Sequence, residues 1–216
     1  MDTTAARQQM VEQQIRTWEV LDPRVIDVLE RVPREQFVPP QYRELAFVDG
    51  PIPIGHGEMM LAPKVHGRIL QALSIDHSDK VLEVGTGTGY LTACLSLLSH
   101  ETASIEIHAD FAVLSAQNLR ALPAANPKIE VRDAFGAAPL GAYDAVAVTG
   151  SLPVYDARFE QALTIGGRLF VIVGVAPVME ALLIRRVDSG EWVRESLFET
   201  VIAPLVNAAP APRFVF

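Results

Sequence analysis

Three glycines fall at alternate positions in "VLEVGTGTGY", Val81 to Tyr90, directly after a run of β-forming residues. Glycines at a strand-to-helix turn leave backbone N–H groups open to the polar part of a ligand. Spacing separates two candidate ligands. A dinucleotide fingerprint requires Gly-x-Gly-x-x-Gly; Gly85 and Gly87 fit, but the last required position is Tyr90 and the third glycine, Gly89, falls one residue early. A phosphate loop ends in Gly-Lys-Ser/Thr, and "GTGTGYLT" contains no lysine. Acidic residues follow at strand ends. Glu106 in "ASIEIH" sits where a carboxylate accepts hydrogen bonds from ribose hydroxyls, and Asp133 closes "KIEVRD". Upstream, His56 and His66 flank "GEMMLAP" and are candidates to act as a base or to orient an acceptor. The histidines show no metal-ligand spacing and have no partner cysteine cluster, so no metal site is expected.

The elements that must position these residues follow from periodicity and punctuation. Thr4 to about Trp18 reads as a helix with Met10, Val11 and Ile15 as its apolar stripe. Asp22 caps a second helix, Pro23 opens it, Val25, Ile26, Val28 and Leu29 form its buried face, and Pro33 stops it. "REQFVPPQYRELAF" is a connector with one further helical turn, and "DGPIPIGHGE" an irregular loop broken by Pro51, Pro53, Gly55 and Gly57. Lys64–Leu73 is a helix leading into the glycine motif. From Lys80 strands and helices alternate: "KVLEVG", "ASIEIH", "KIEVRD", "YDAVAVTG" and "GRLFVIVG" are strands, with helices "GYLTACLSLL", "ADFAVLSAQNLRAL" and "VYDARFEQALT" between them. This order predicts a mostly parallel, doubly wound α/β sheet. "ALLIRRVDSGEWVRESLFETVI" then reads as an antiparallel hairpin around Asp188-Ser189-Gly190. The expected division is residues 1–77 as an N-terminal helical extension carrying the acceptor-site loop and 78–216 as the ligand-binding domain.

Composition narrows the function classes. The 216 residues are half hydrophobic, which suits one α/β domain with an appendage. A formal net charge of -8, with no block of Lys or Arg, argues against binding a phosphate backbone. The single cysteine, Cys94, lies in the apolar run "YLTACLSLL" and reads as a small core residue. The first twenty residues have no apolar h-region, and no apolar run approaches the roughly 20 residues of a membrane span, so a cytoplasmic location is expected. "NAAPAPRFVF" ends in Phe214 and Phe216, a tail that docks on its own domain or on a partner.

The series Glu83-x-Gly85-x-Gly87-x-Gly89 resembles the first motif of S-adenosylmethionine-dependent methyltransferases with a Rossmann-like sheet. The resemblance implies that Glu83, Gly85, Thr86, Gly87, Gly89, Tyr90, Glu106, Ile107, Asp133 and Ala134 bind this cofactor. Glu83 would sit near its ammonium, Glu106 by the ribose and Asp133 at the adenine amino group. Gly166-Gly167 matches the turn before a later strand of the same fold.

A longer set of segments is more specific. "MVEQQI", "DPRVIDVLERVPREQFVPPQYRELAFVDGPIPIGHGE", "KVLEVGTGTGY", "YDAVAVTG" and "GGRLFVIVG" together resemble the protein-L-isoaspartate O-methyltransferase family, from about Met10 to Leu205. Membership implies a class I methyltransferase fold, a helical extension over the cofactor site, and methyl transfer to the α-carboxylate of isoaspartyl residues in damaged protein. Gly136, and Thr149 after the fourth strand, also match the family types. The acceptor loop departs from it. The family reads Gly-Gln-Thr-Ile-Ser-x-Pro, with threonine and serine hydroxyls beside the transferring methyl; this chain reads Gly57-Glu58-Met59-Met60-Leu61-Ala62-Pro63. Glu58, Met59, Leu61 and His66 are therefore the acceptor-side candidates. Loss of two hydroxyl donors leaves a pocket costlier for an anion, which Lys64 or Arg68 could offset. Three alternatives follow: a changed, less anionic acceptor; a cofactor-binding module without isoaspartyl activity; or a nicotinamide dehydrogenase. Whether the protein is a monomer or a homodimer is open.

Overall fold

The computed structural model describes residues 3–122 and 126–211; the tail aromatics Phe214 and Phe216 lie outside the described residues. Helix α1 (Thr3–Met10) does not run on as one α-helix to Trp18: it widens into a π-helical turn over Val11–Ile15 and tightens into a 3-10 turn over Arg16–Trp18, with Glu19 left-handed at φ 59°. The expected stripe of Met10, Val11 and Ile15 is buried all the same. Helix α2 (Pro23–Arg31) starts where its punctuation says it should, with the Asp22 side chain accepting from the Arg24 N–H, and its four apolar residues are buried. A short α3 (Arg34–Phe37) and a 3-10 turn (Pro40–Leu45) make up the connector.

The stretch expected to be an irregular loop is a hairpin instead. Strands β1 (Ile52–Gly55) and β2 (Glu58–Met60) pair antiparallel as a separate two-stranded sheet. Prolines are tolerated on a strand edge where no ladder N–H is needed, and His56 takes φ 53° at the turn. Helix α4 (Pro63–Leu73) leads to the main sheet of β3 (Lys80–Val84), β4 (Glu101–Glu106), β5 (Lys128–Val131), β6 (Tyr143–Leu152), β7 (Leu163–Val175), β8 (Val178–Asp188) and β9 (Glu191–Glu199). Its strand order is β5-β4-β3-β6-β7-β8-β9, parallel from β5 through β7 and antiparallel for the β8–β9 hairpin. Helix α5 (Tyr90–Leu98) follows its expected span and α6 (Ala109–Leu119) stops three residues short of it, whereas α7 is only Arg158–Gln161, because β7 already begins at Leu163 and absorbs Gly166-Gly167 as a register shift.

The sheet has two apolar faces. One packs against α4, α5 and the N-terminal helices in a continuous core from Met10 to Leu183, so the extension shares its core with the sheet. Cys94 is buried in that core, where burial pushes its thiol up to about 12. The other face gathers Leu82, Val146, Phe159 and Val171. Chain order reverses at β3, whose neighbours are β4 and β6, and the carboxyl ends of these strands form the crevice where ligands bind in open α/β sheets.

Candidate active site

At that crevice one cavity runs from the glycine turn to the β1–β2 hairpin. Its floor is the β3 end. Glu83 is fully buried; Thr92 Oγ1 (2.5 Å) and Ser104 Oγ (2.7 Å) both donate to its Oε2, and Thr86 and Ser104 share a further bond of 2.6 Å. Its other oxygen, Oε1, is buried with no partner. Burial first, with a smaller contribution from Glu106, raises the Glu83 carboxyl to about 8. Glu106, at the end of β4 as expected, accepts from the N–H groups of Gly87 (2.8 Å) and His108 (2.9 Å), so it binds the two sides of the crevice together. Asp133 lies two residues beyond β5 rather than at its end; Phe135 N–H (2.8 Å) and Asn207 Nδ2 (2.9 Å) donate to it.

The glycines have different reasons. A Cβ at Gly85 would meet Thr149 Oγ1 at 2.3 Å, because Thr149 donates to the carbonyls of Val84 and Gly85 from inside β6, not from a loop after it. Gly89 is absent from the cavity wall: at φ 91° it caps α5, and a Cβ there would press on Ser115 Cβ at 3.0 Å, so its bareness serves the packing of α5 on α6. Gly87 lies under the hairpin, 3.2 Å from Ile54 Cδ1 at its Cβ position. Thr86, Ile107 and Ala134 line the cavity; Gly136 stands off it, in the turn that shapes Asp133. Tyr90 lines it too, but its buried ring is wedged among Phe37, His66 and the Arg34 guanidinium.

The roof is the hairpin and the chain leaving it. Glu58, Met59, Leu61 and His66 all reach the cavity wall. His66 is held neutral. It is buried beside Arg34, which donates to its Nδ1 (3.1 Å), and burial and then that charge push its pKa well down. Its proton therefore sits on Nε2. Arg34 is fully buried, and it also donates to the carbonyls of Ala46 (2.8 Å) and Leu61 (2.7 Å), which fixes the backbone that leaves the hairpin. Lys64 and Arg68 are not on the wall. Lys64 Nζ pairs with Asp49 (2.9 Å) over the Trp18 ring, and Arg68 donates to the Trp18 carbonyl over Phe198. Neither offsets the loss of the hydroxyls.

The hairpin tip is fastened to the far side of the crevice. His56 Nε2 bonds Asp110 Oδ2 (2.8 Å), and its ring stacks on His108 with centroids 4.2 Å apart and planes within 8°. The ligand atoms of these three residues lie within 4.8 Å of one another, a grouping that spacing along the chain did not suggest. The stacked rings and the His56–Asp110 bond join the hairpin tip to the start of α6, so the arrangement can act as a latch.

Sequence reading missed Arg34, Asn207 and the segment that walls the cavity opposite the hairpin, Val201–Val206. That segment has no strand of its own. It is pinned to β6 by bonds between Ser151 and the backbone of Ile202, Ala203 and Leu205, and a Cβ at Gly150 would strike Leu205 at 2.8 Å. The glycine after Thr149 was the one local signal of this close approach.

Residues 5–209 match the family described as protein-L-isoaspartate(D-aspartate) O-methyltransferase. The chain belongs to this family. A protein-L-isoaspartate O-methyltransferase 1 of Rhodopseudomonas palustris is 36% identical over 97% of this chain and 89% of its own length, and one from Koribacter versatilis is 34% identical over 93% and 90%. The fold of a Plasmodium falciparum protein of that description, in complex with S-adenosyl-L-homocysteine, matches with a TM-score of 0.78 at 21% identity, over 95% of this chain and 98% of that one. Family members are S-adenosylmethionine-dependent methyltransferases, and the residues here fit that cofactor. The orphaned Glu83 Oε1 leaves a buried site where an ammonium would draw the carboxyl back to its ionised, accepting form, Glu106 keeps lone pairs for ribose hydroxyls, and the described cavity wall carries no lysine for a pyrophosphate.

Proposed function

We propose that this chain transfers the methyl group of S-adenosylmethionine to the α-carboxylate of isoaspartyl residues in a protein or peptide acceptor. The observation that carries the reading is the continuity of the cavity, which joins the cofactor-type floor to the Glu58–Leu61 segment under one roof. In this reading residues 1–77 supply the roof and acceptor loop, and residues 78–216 the floor, in a cytoplasmic protein. Glu83, Glu106 and Asp133 would hold the ammonium, ribose and adenine ends, with Gly85, Thr86, Gly87, Ile107 and Ala134 as the surrounding wall. The cofactor supplies an electrophilic methyl on a sulfonium. What the protein contributes is mostly proximity: a rigid floor, a latched roof and apolar walls that exclude water hold the acceptor oxygen in line, and such positioning supplies several kcal/mol of a displacement barrier.

A second reading keeps the enzyme and changes the acceptor. Met59, Met60 and Leu61 face the cavity while Lys64 and Arg68 are engaged elsewhere, which favours an acceptor less anionic than isoaspartate. Methyl transfer from labelled S-adenosylmethionine to an isoaspartyl peptide separates the two. Turnover with that peptide supports the first reading; tight cofactor binding with no turnover removes it in favour of the second.

A further inference from the structure

Glu58 is the acceptor-side residue whose chemistry the family pattern does not supply, since the position is glutamine there. It lies at the start of β2 on the cavity wall, half-buried, and its carboxyl makes no hydrogen bond or ion pair among the described residues. The groups that act on it electrostatically are Glu106 from β4, His108 just after β4 and His56 from the hairpin turn. His56 is already bonded to Asp110. Arg132, on the same wall, is turned to the Pro139 carbonyl and Glu130. Among the described residues Arg132 is thus the one lysine or arginine on the wall, and both its terminal nitrogens are engaged away from Met59 and Leu61.

Two carboxyl groups brought together in a poorly solvated site cannot both stay ionised, and they share one proton. We propose that Glu58 receives the acceptor carboxylate as a neutral carboxylic acid, donating a hydrogen bond to one acceptor oxygen while the other attacks the methyl. It thereby takes the place of the missing threonine and serine hydroxyls. The attacking oxygen forms the new O–C bond, the methyl–sulfur bond breaks with its electron pair left on sulfur, and Glu58 keeps its proton throughout. Burial first, and the neighbouring Glu106 charge, already raise the Glu58 carboxyl above the ordinary glutamate range, with the two histidines pulling the other way. The incoming anion raises it further. The consequence is a methylation favoured by acid, and the inference rests on the isoaspartyl reading.

The test is kcat/KM for an isoaspartyl peptide at saturating S-adenosylmethionine from pH 5 to 8.5, for the native protein, Glu58→Gln and Glu58→Ala. Native kcat/KM is expected to fall up to tenfold per pH unit on the alkaline side. Glu58→Gln, whose amide donates at every pH and which keeps both histidines, is expected to be flat there and to exceed the native protein at pH 8.5. Glu58→Ala should be slow throughout. A flat native profile, or the same slope in Glu58→Gln, overturns the proposal and leaves the isoaspartyl reading standing. A native rate that rises with pH also overturns it. Absence of turnover in all three proteins at every pH, with cofactor still bound, removes the isoaspartyl reading itself and this inference with it.

Discussion

The two halves of the cavity are built on different principles. The half proposed to hold the cofactor is drawn from one short span of chain, Glu83 to Asp133, where successive βα turns deliver Glu83, Glu106 and Asp133 to the same sheet edge by topology alone. The acceptor half is assembled from segments far apart: the β1–β2 hairpin, Arg34 beneath it, the His108–Asp110 end of β4 and α6, and the Val201–Val206 segment. Topology fixes the first; individual long-range bonds fix the second. The first half should therefore fail through its backbone and buried acid, and the second through the groups that tie separate segments together.

The largest effect should fall on the acceptor half. Arg34→Ala strands the carbonyls of Ala46 and Leu61 and Nδ1 of His66, and removing one partner of a buried charged network costs about 3–5 kcal/mol. Urea unfolding would register it, and a loss below about 1 kcal/mol would mean that the hairpin does not stand on this residue. For the cofactor half, Gly87→Val places a branched side chain between the glycine turn and Ile54, and should weaken S-adenosylmethionine binding at least a hundredfold, about 2.7 kcal/mol. Unchanged affinity by calorimetry would show that the turn is not the cofactor floor.

Glu83 sharpens the contrast through pH. Its folded-state pKa of about 8 lies above the ordinary glutamate value of 4.5, so the native state keeps a proton that the unfolded chain releases. Stability should then fall as pH rises across that window, by up to about 1.4 kcal/mol per unit, and level off above it. Glu83→Gln should flatten this slope in urea titrations at pH 5, 6.5 and 8; an unaltered slope would place the proton elsewhere. The smallest effect expected is a gain. Met59→Thr with Leu61→Ser restores the family hydroxyls to the wall and should raise isoaspartyl turnover about tenfold, roughly 1.4 kcal/mol, with cofactor affinity unmoved. A double variant no faster than the native protein would break the link between those positions and the acceptor.

The sequence by itself determined the α/β class, the strand-helix alternation, the Asp22 cap, the closing hairpin at Asp188-Ser189-Gly190 and the family, because each depends on neighbours a few residues apart or on the pattern as a whole. It also delivered Glu106 of the floor, since a strand end in a parallel sheet has one place to point, and it placed Asp133 to within the two residues by which that side chain overshoots β5. Only the tertiary structure decided the rest. The proline-rich stretch at Ile52–Met60 became a hairpin because its edges found each other and its tip found His108 and Asp110. Gly89 was diverted from ligand to helix packing by Ser115, a contact made across two turns of the fold. Lys64 and Arg68, which local reading left free to serve an anion, were claimed by Asp49 and Trp18. A side chain's bonding partner is set by which distant segment packs over it, and no local spacing carries that information.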